Sequence, residues 1–90
     1  MPCRVPSISA FFGIVIRMYF EDHLPPHFHA TYAGDEVVVR IDTLETLAGS
    51  VPRRALALIL EWAQLHRTEL AADWERAASL QPLEPIPPLD

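Results

Sequence analysis

Apolar residues fall at every second position over Ile16, Met18 and Phe20, with Arg17, Tyr19 and Glu21 between them. A period of two is that of a half-buried strand. With the β-branched and aromatic residues around them, it predicts a strand over residues 11–21. HFHATY, residues 27–32, and EVVVRID, residues 36–42, read as two further strands. DHLPP between the first two is a loop. The residue before each proline is pushed toward extended backbone, and Pro26 has no N–H to donate. Gly34-Asp35 is the expected two-residue turn of the second hairpin. The opening MPCRVPS is expected to be irregular, and TLETLAGS, residues 43–50, a connector.

From Ser50 the period changes. Ser50 is the expected N-cap, with Pro52 in the first helical turn. The stretch that follows has no internal glycine or proline and predicts one helix over about residues 52–79. At 100° per residue, Leu56, Ile59, Leu60, Ala63, Leu70, Trp74 and Ala77 form one apolar stripe, the expected core face. Leu58, Trp62, Leu65 and Ala72 form a second stripe. Either it is an interface for a partner protein or a second copy, or the N-terminal segment or the tail packs there. Glu61, Glu69, Asp73 and Glu75 read as solvated positions. The tail PLEPIPPLD leaves the helix at Pro82 and is expected to be extended or disordered.

The expected fold is therefore α+β: a three-stranded antiparallel sheet in the order β-β-β-α, covered by one long C-terminal helix. Residues 1–81 make one domain and residues 82–90 a Pro-rich extended tail. Folding the first hairpin about residues 22–26 sets Tyr19 opposite His29 and Glu21 opposite His27. Folding the second about Gly34-Asp35 sets His29 opposite Arg40 and His27 opposite Asp42. Side chains then sort by alternation. One face carries Ile16, Met18, Phe20, Phe28, Ala30, Tyr32, Val37, Val39 and Ile41. The other carries Arg17, Tyr19, Glu21, His27, His29, Thr31, Arg40 and Asp42.

Composition narrows this picture. The 90 residues carry a formal charge of −5, and all seven basic residues are arginine. An acidic chain is a poor non-specific nucleic-acid binder, because that binding rests on neutralising phosphates. A local anion site of Arg17, Arg40, Arg53 and Arg54 would be compatible with RNA. Arg53 and Arg54 stand in the first helical turn, against the macrodipole. They pair there with a bound phosphate or, as the favoured reading, with Asp42 or Glu45. Cys3 is the sole cysteine, so no internal disulfide forms, in keeping with a reducing cytoplasm. Arg17 ends the early apolar run and no small-residue cleavage site follows, so no signal peptide is expected. No run is long enough to span a bilayer.

The chemistry concentrates in EDHLPPHFHATY, which holds three of the four histidines. Three readings stand. Histidine titrates near neutrality, and a carboxylate can orient it. His27, His29, Tyr19, Glu21 and Arg40 would then suit metal-free acid–base cleavage of an RNA phosphodiester. Alternatively His27 and His29, roughly 6–7 Å apart along one strand, grip a Zn²⁺ with Glu21, Asp42 or His23 as third ligand. The plainest reading is a solvated or partner-covered face whose charges offset one another. His23 reads as a loop residue and His66 as structural.

At Asp22, His23, Pro25, Pro26, His27 and His29 the chain resembles the bacterial domain-of-unknown-function family 4160. That family carries a D-H-x-P-P-H-x-H core after an early apolar strand and before a helix with a tryptophan near its end, here Trp74. The resemblance covers roughly residues 6–78. It implies no settled activity and no catalytic residues. Genes of the family pair with those of another small family, which implies a toxin–antitoxin-like or regulatory module. A small partner protein on the Leu58, Trp62 and Leu65 stripe would suit such a pair, with no cofactor required.

Overall fold

A computed structural model describes residues 7–20 and 22–90. Cys3 and Glu21 lie outside the described residues. The fold is α+β with an antiparallel sheet, but the sheet has five strands and the helical region two helices. The strands are β1 (Ser7–Phe11), β2 (Ile14–Arg17), β3 (His27–Tyr32), β4 (Asp35–Arg40) and β5 (Thr46–Gly49), followed by α1 (Arg53–Leu65) and α2 (Arg67–Ala78). Each strand pairs with its sequence neighbour, in the order β1-β2-β3-β4-β5.

The additional strands are β1, most of which carried no expectation, and β5, from the expected connector. The expected strand over residues 11–21 holds as β2 over Ile14–Arg17 and is cut short by a hairpin corner at residues 12–13. Phe12 and Gly13 both take positive φ, the requirement of a tight two-residue hairpin turn. Ser7–Phe11 therefore folds back on β2 and buries Ile8 and Phe11. The expected connector likewise supplies β5, which pairs with β4.

Both central hairpins pair two residues out of the expected register. Arg17 lies opposite His29, where Tyr19 was expected. His29 lies opposite Val38 and His27 opposite Arg40. The cause in β3–β4 is the turn, which is Ala33-Gly34, both at positive φ, and not Gly34-Asp35. A shift of two preserves which face each residue occupies. The apolar face accordingly holds as expected: Ile16, Met18, Phe28, Ala30, Val37, Val39 and Ile41 are all buried. Phe20 is the exception. It lies beyond the end of β2 and is exposed.

The expected single helix breaks at His66, whose backbone leaves helical geometry at φ −120° and ψ 28°. A straight helix over residues 52–79 would run about 42 Å at 1.5 Å per residue. The longest dimension of the molecule is 33 Å. Breaking the helix lets both halves stay on the sheet. Pro52, not Ser50, occupies the N-cap position, without a side-chain cap.

The core stripe of α1 is Ala55, Ile59, Trp62 and Ala63. Trp62 is 0 % exposed. Its ring lies against Phe11 and Phe28, and its Nε1 donates to the Pro87 carbonyl at 2.9 Å. Of the two readings of the second stripe, packing by the N-terminal segment and the tail holds at its central residue, which β1 and the tail cover in the core. Leu65 is 66 % exposed and Leu58 half-buried.

The tail runs extended and is tied down. Ile86 is buried, and its N–H donates to the Ile8 carbonyl on β1 at 2.8 Å. Asp73, expected to be solvated, is fully buried. It accepts from Arg76 Nη1 at 2.6 Å and from the Glu84 N–H of the tail at 2.9 Å. No helix among the described residues is long and apolar enough to cross a membrane.

Candidate functional site

The histidines lie on the sheet face opposite Phe28 and Ala30, at the end of β3 where Trp74 of α2 reaches His27. His27 and His29 are the first and third residues of β3, so alternation sets both side chains on one face. The loop between β2 and β3, which contains a cis Leu24–Pro25 peptide bond, brings Asp22 onto the same point. Asp22 Oδ2 lies 2.9 Å from His27 Nε2 and 3.4 Å from His29 Nε2. One ligand atom from each of the three residues falls within 4.8 Å of the others.

The far sides of both rings are held as well. His27 Nδ1 lies 2.6 Å from the Pro25 carbonyl, and His29 Nδ1 lies 3.1 Å from Glu36 Oε2. On both rings Nδ1 and Nε2 alike face an oxygen that only accepts. A doubly protonated ring donates on both sides and pairs with Asp22. A neutral ring that keeps its hydrogen on Nδ1 turns an Nε2 lone pair toward the Asp22 carboxylate, and two such lone pairs with one carboxylate oxygen are a ligand set for a divalent ion.

The surroundings are asymmetric. His27 is 2 % exposed, with its ring 5.2 Å from Trp74 of α2. His29 is half-buried, with the Tyr19 ring edge-on at 4.3 Å. Burial pushes the Asp22 carboxyl upward, but the His23 N–H, donating at 2.8 Å, and the two imidazoles outweigh it and hold Asp22 below its ordinary value. A cleft of about 360 Å³ opens over the cluster, lined by Asp22, His23, Pro25, His27, His29, Val38, Leu47 and Ala48.

Of the expected acid–base group, His27, His29 and Tyr19 come together. Arg40 does not join them. Its Nε and Nη2 bind Asp42 at 2.5 and 3.1 Å, which holds the Asp42 carboxyl down and raises the guanidinium. Asp42 is therefore not a ligand to the histidines. Arg17 donates to Thr31 Oγ1 at 3.0 Å. Among the described residues, no carboxylate reaches Arg53 or Arg54. The expected pairing with Asp42 or Glu45 is absent. Arg54 and Leu58 line a separate cleft of about 390 Å³ with Phe12, Tyr32, Pro52 and Ala55. His66 is structural in its contacts, stacked near Trp62 and bonded to Glu69 at 2.6 Å.

The residue that strand pairing passed over is Asp22. It sits in a loop, where alternation says nothing of direction. Its only sequence signal is its place at the head of the Asp-His-x-Pro-Pro-His-x-His run. Glu36, the partner of His29 Nδ1, carried no signal beyond its place on the neighbouring strand.

Fold and site together define a small α+β domain with two histidines and one carboxylate gathered on its open sheet face. Residues 13–75 match the family model described as a domain of unknown function, DUF4160, and the chain belongs to that family. No curated protein and no solved structure matches the chain.

Proposed function

We propose that this protein binds a divalent metal ion through Asp22, His27 and His29. The observation that carries the reading is the convergence of two imidazole Nε2 atoms and one carboxylate oxygen, with each histidine's Nδ1 held by Pro25 or Glu36. Metal-ligating histidines characteristically donate their other ring nitrogen to a carbonyl or carboxylate in this way. The spacing also suits an ion. Ligand atoms about 2.1 Å from a tetrahedral Zn²⁺ stand about 3.4 Å apart, close to the 2.9 and 3.4 Å found here.

Nitrogen and carboxylate donors suit Zn²⁺ or another first-row divalent ion. Three protein ligands leave at least one position open, as in catalytic rather than structural sites. The cleft is lined by all three residues, so a ligand to such an ion would enter from it. A metal there would supply Lewis-acid polarisation of a bound oxygen. Glu36 and the Pro25 carbonyl hold the ring orientations, Trp74 shields His27 from water, and the cleft admits the ligand.

The alternatives draw less support. Metal-free phosphodiester cleavage needs a cation for the phosphate; Arg40 is paired with Asp42, and Arg17, bonded to Thr31, is not among the described residues that line the cleft. Pairing with a small partner protein rests on the family resemblance alone once Trp62 is in the core.

The test is metal uptake by protein stripped with chelator. Zn²⁺ should bind at one ion per chain by calorimetry and raise the thermal midpoint, and His29→Ala should abolish both effects. A wild-type protein that takes up neither Zn²⁺ nor Fe²⁺, Co²⁺ or Mn²⁺ would refute the proposal.

A further inference from the structure

The walls of the cleft differ from its floor. The floor is the three-residue cluster with His23 at the rim, whereas Pro25, Val38, Leu47 and Ala48 make an apolar wall. Leu47 reaches that wall through an irregularity. Val38 pairs with Ala48 and Val39 with Thr46, so Leu47 is the extra residue of a β-bulge on the edge strand. Bulges re-aim a side chain and often stand beside functional sites. Leu47 is 40 % exposed, and Leu24, in the loop segment that supplies His23 and Pro25 to the rim, is 75 % exposed. Large apolar side chains left open around a polar centre suit a ligand that has both a polar head and an apolar body.

Charge defines the head. A divalent ion with one Asp22 carboxylate leaves a single positive charge, which a monoanion neutralises. Among the described residues no arginine lines the cleft. A phosphate dianion would carry one charge more than that remainder. The volume lies within the range of small-molecule sites.

We infer that the open metal position takes the carboxylate of an apolar monocarboxylic acid, with Leu47 packing on its hydrocarbon body. The inference rests on the metal reading above. The experiment is a visible-absorption titration of the Co²⁺-loaded full chain with acetate, butyrate, hexanoate and octanoate. The Co²⁺ bands should shift. Affinity should rise about fourfold per added methylene until the wall is filled. Leu47→Ser should flatten that rise, and Leu47→Phe should shorten the longest chain accepted. N-acetylleucine, run in parallel, separates a free acid from the carboxy end of a peptide: whichever source binds more tightly is the one the cleft is built for. Affinity independent of chain length, an unchanged slope in Leu47→Ser, or displacement of hexanoate by an equal concentration of inorganic phosphate would overturn the inference and leave the metal site standing. Failure to bind Co²⁺ at all would strike the metal reading itself.

Discussion

Along β3, Phe28 and Ala30 vanish beneath the helices, while His27 and His29, each one residue away, meet Asp22 on the opposite face. The covered face is held by bulk. Trp62 lies against Phe28 and Phe11, and its one polar atom is satisfied by Pro87. The open face is held by direction. Each imidazole is pinned at one nitrogen by an acceptor and presents the other to a shared point. Close packing makes the first arrangement costly to alter in volume, and hydrogen-bond geometry makes the second costly to alter in chemistry. Stability should therefore follow the covered face and ion binding the open one.

Four changes would break or sharpen that contrast. The largest effect is expected from Trp62→Ala, which empties the centre of the covered face. It should cost about 3–5 kcal/mol in urea unfolding, and a loss below about 1 kcal/mol would show that the face is not the core. His29→Ala on the open face should behave in the reverse sense. Chelator-treated protein should unfold nearly as the wild type does. The stabilisation of about 2.7 kcal/mol expected at a hundredfold excess of Zn²⁺ over its dissociation constant should vanish. Differential scanning calorimetry with and without Zn²⁺ reads both quantities.

Ile86→Ala probes the tail that closes the β1 edge. It should cost about 2 kcal/mol, at the lower end for a buried isoleucine, because an extended segment can settle into the space. Trp62 fluorescence should shift toward the red as Pro87 loosens, and an unshifted spectrum at full stability would free the tail of a structural role. The smallest effect belongs to Asp42→Asn. Its partner Arg40 holds the Asp42 carboxyl below its ordinary value, but both groups are in solvent. Such a depressed carboxyl stabilises above its unfolded pKa of about 3.9, and the gain is lost as pH falls through the lower folded value. Any gap between wild type and Asp42→Asn should be barely measurable at neutral pH, close in acid and shrink with salt. A large gap in high salt would mean that this pair, too, supports the fold.

Much of this contrast could be read before any coordinates. HFHATY has the bounds of β3 as found, and alternation sorted the faces of the described strand residues even though both registers were two residues out, failing only beyond β2 at Phe20. Face depends on parity alone, whereas register depends on where the turn falls. Ala33-Gly34 was missed because alanine at positive φ carries no sequence signal, while Gly34-Asp35 looks like a turn. β5 was missed because TLAG is short and all its residues are exposed, so it has no buried stripe to betray it. The helix stripe was misplaced toward Leu56 and Leu60 because periodicity finds apolar arcs but does not say which arc the sheet and tail will cover.

The local pattern thus determined what each central strand buries and that two histidines share one open face, because side-chain direction in a strand follows from position alone. Only the tertiary structure decided that Trp62 lies inside, since what covers it, Phe11 and Pro87, comes from opposite ends of the chain. It also decided that Asp22 completes the cluster. A loop residue's direction is set by how the whole loop closes against Pro25, His27 and β3, and no periodicity within the loop encodes that closure.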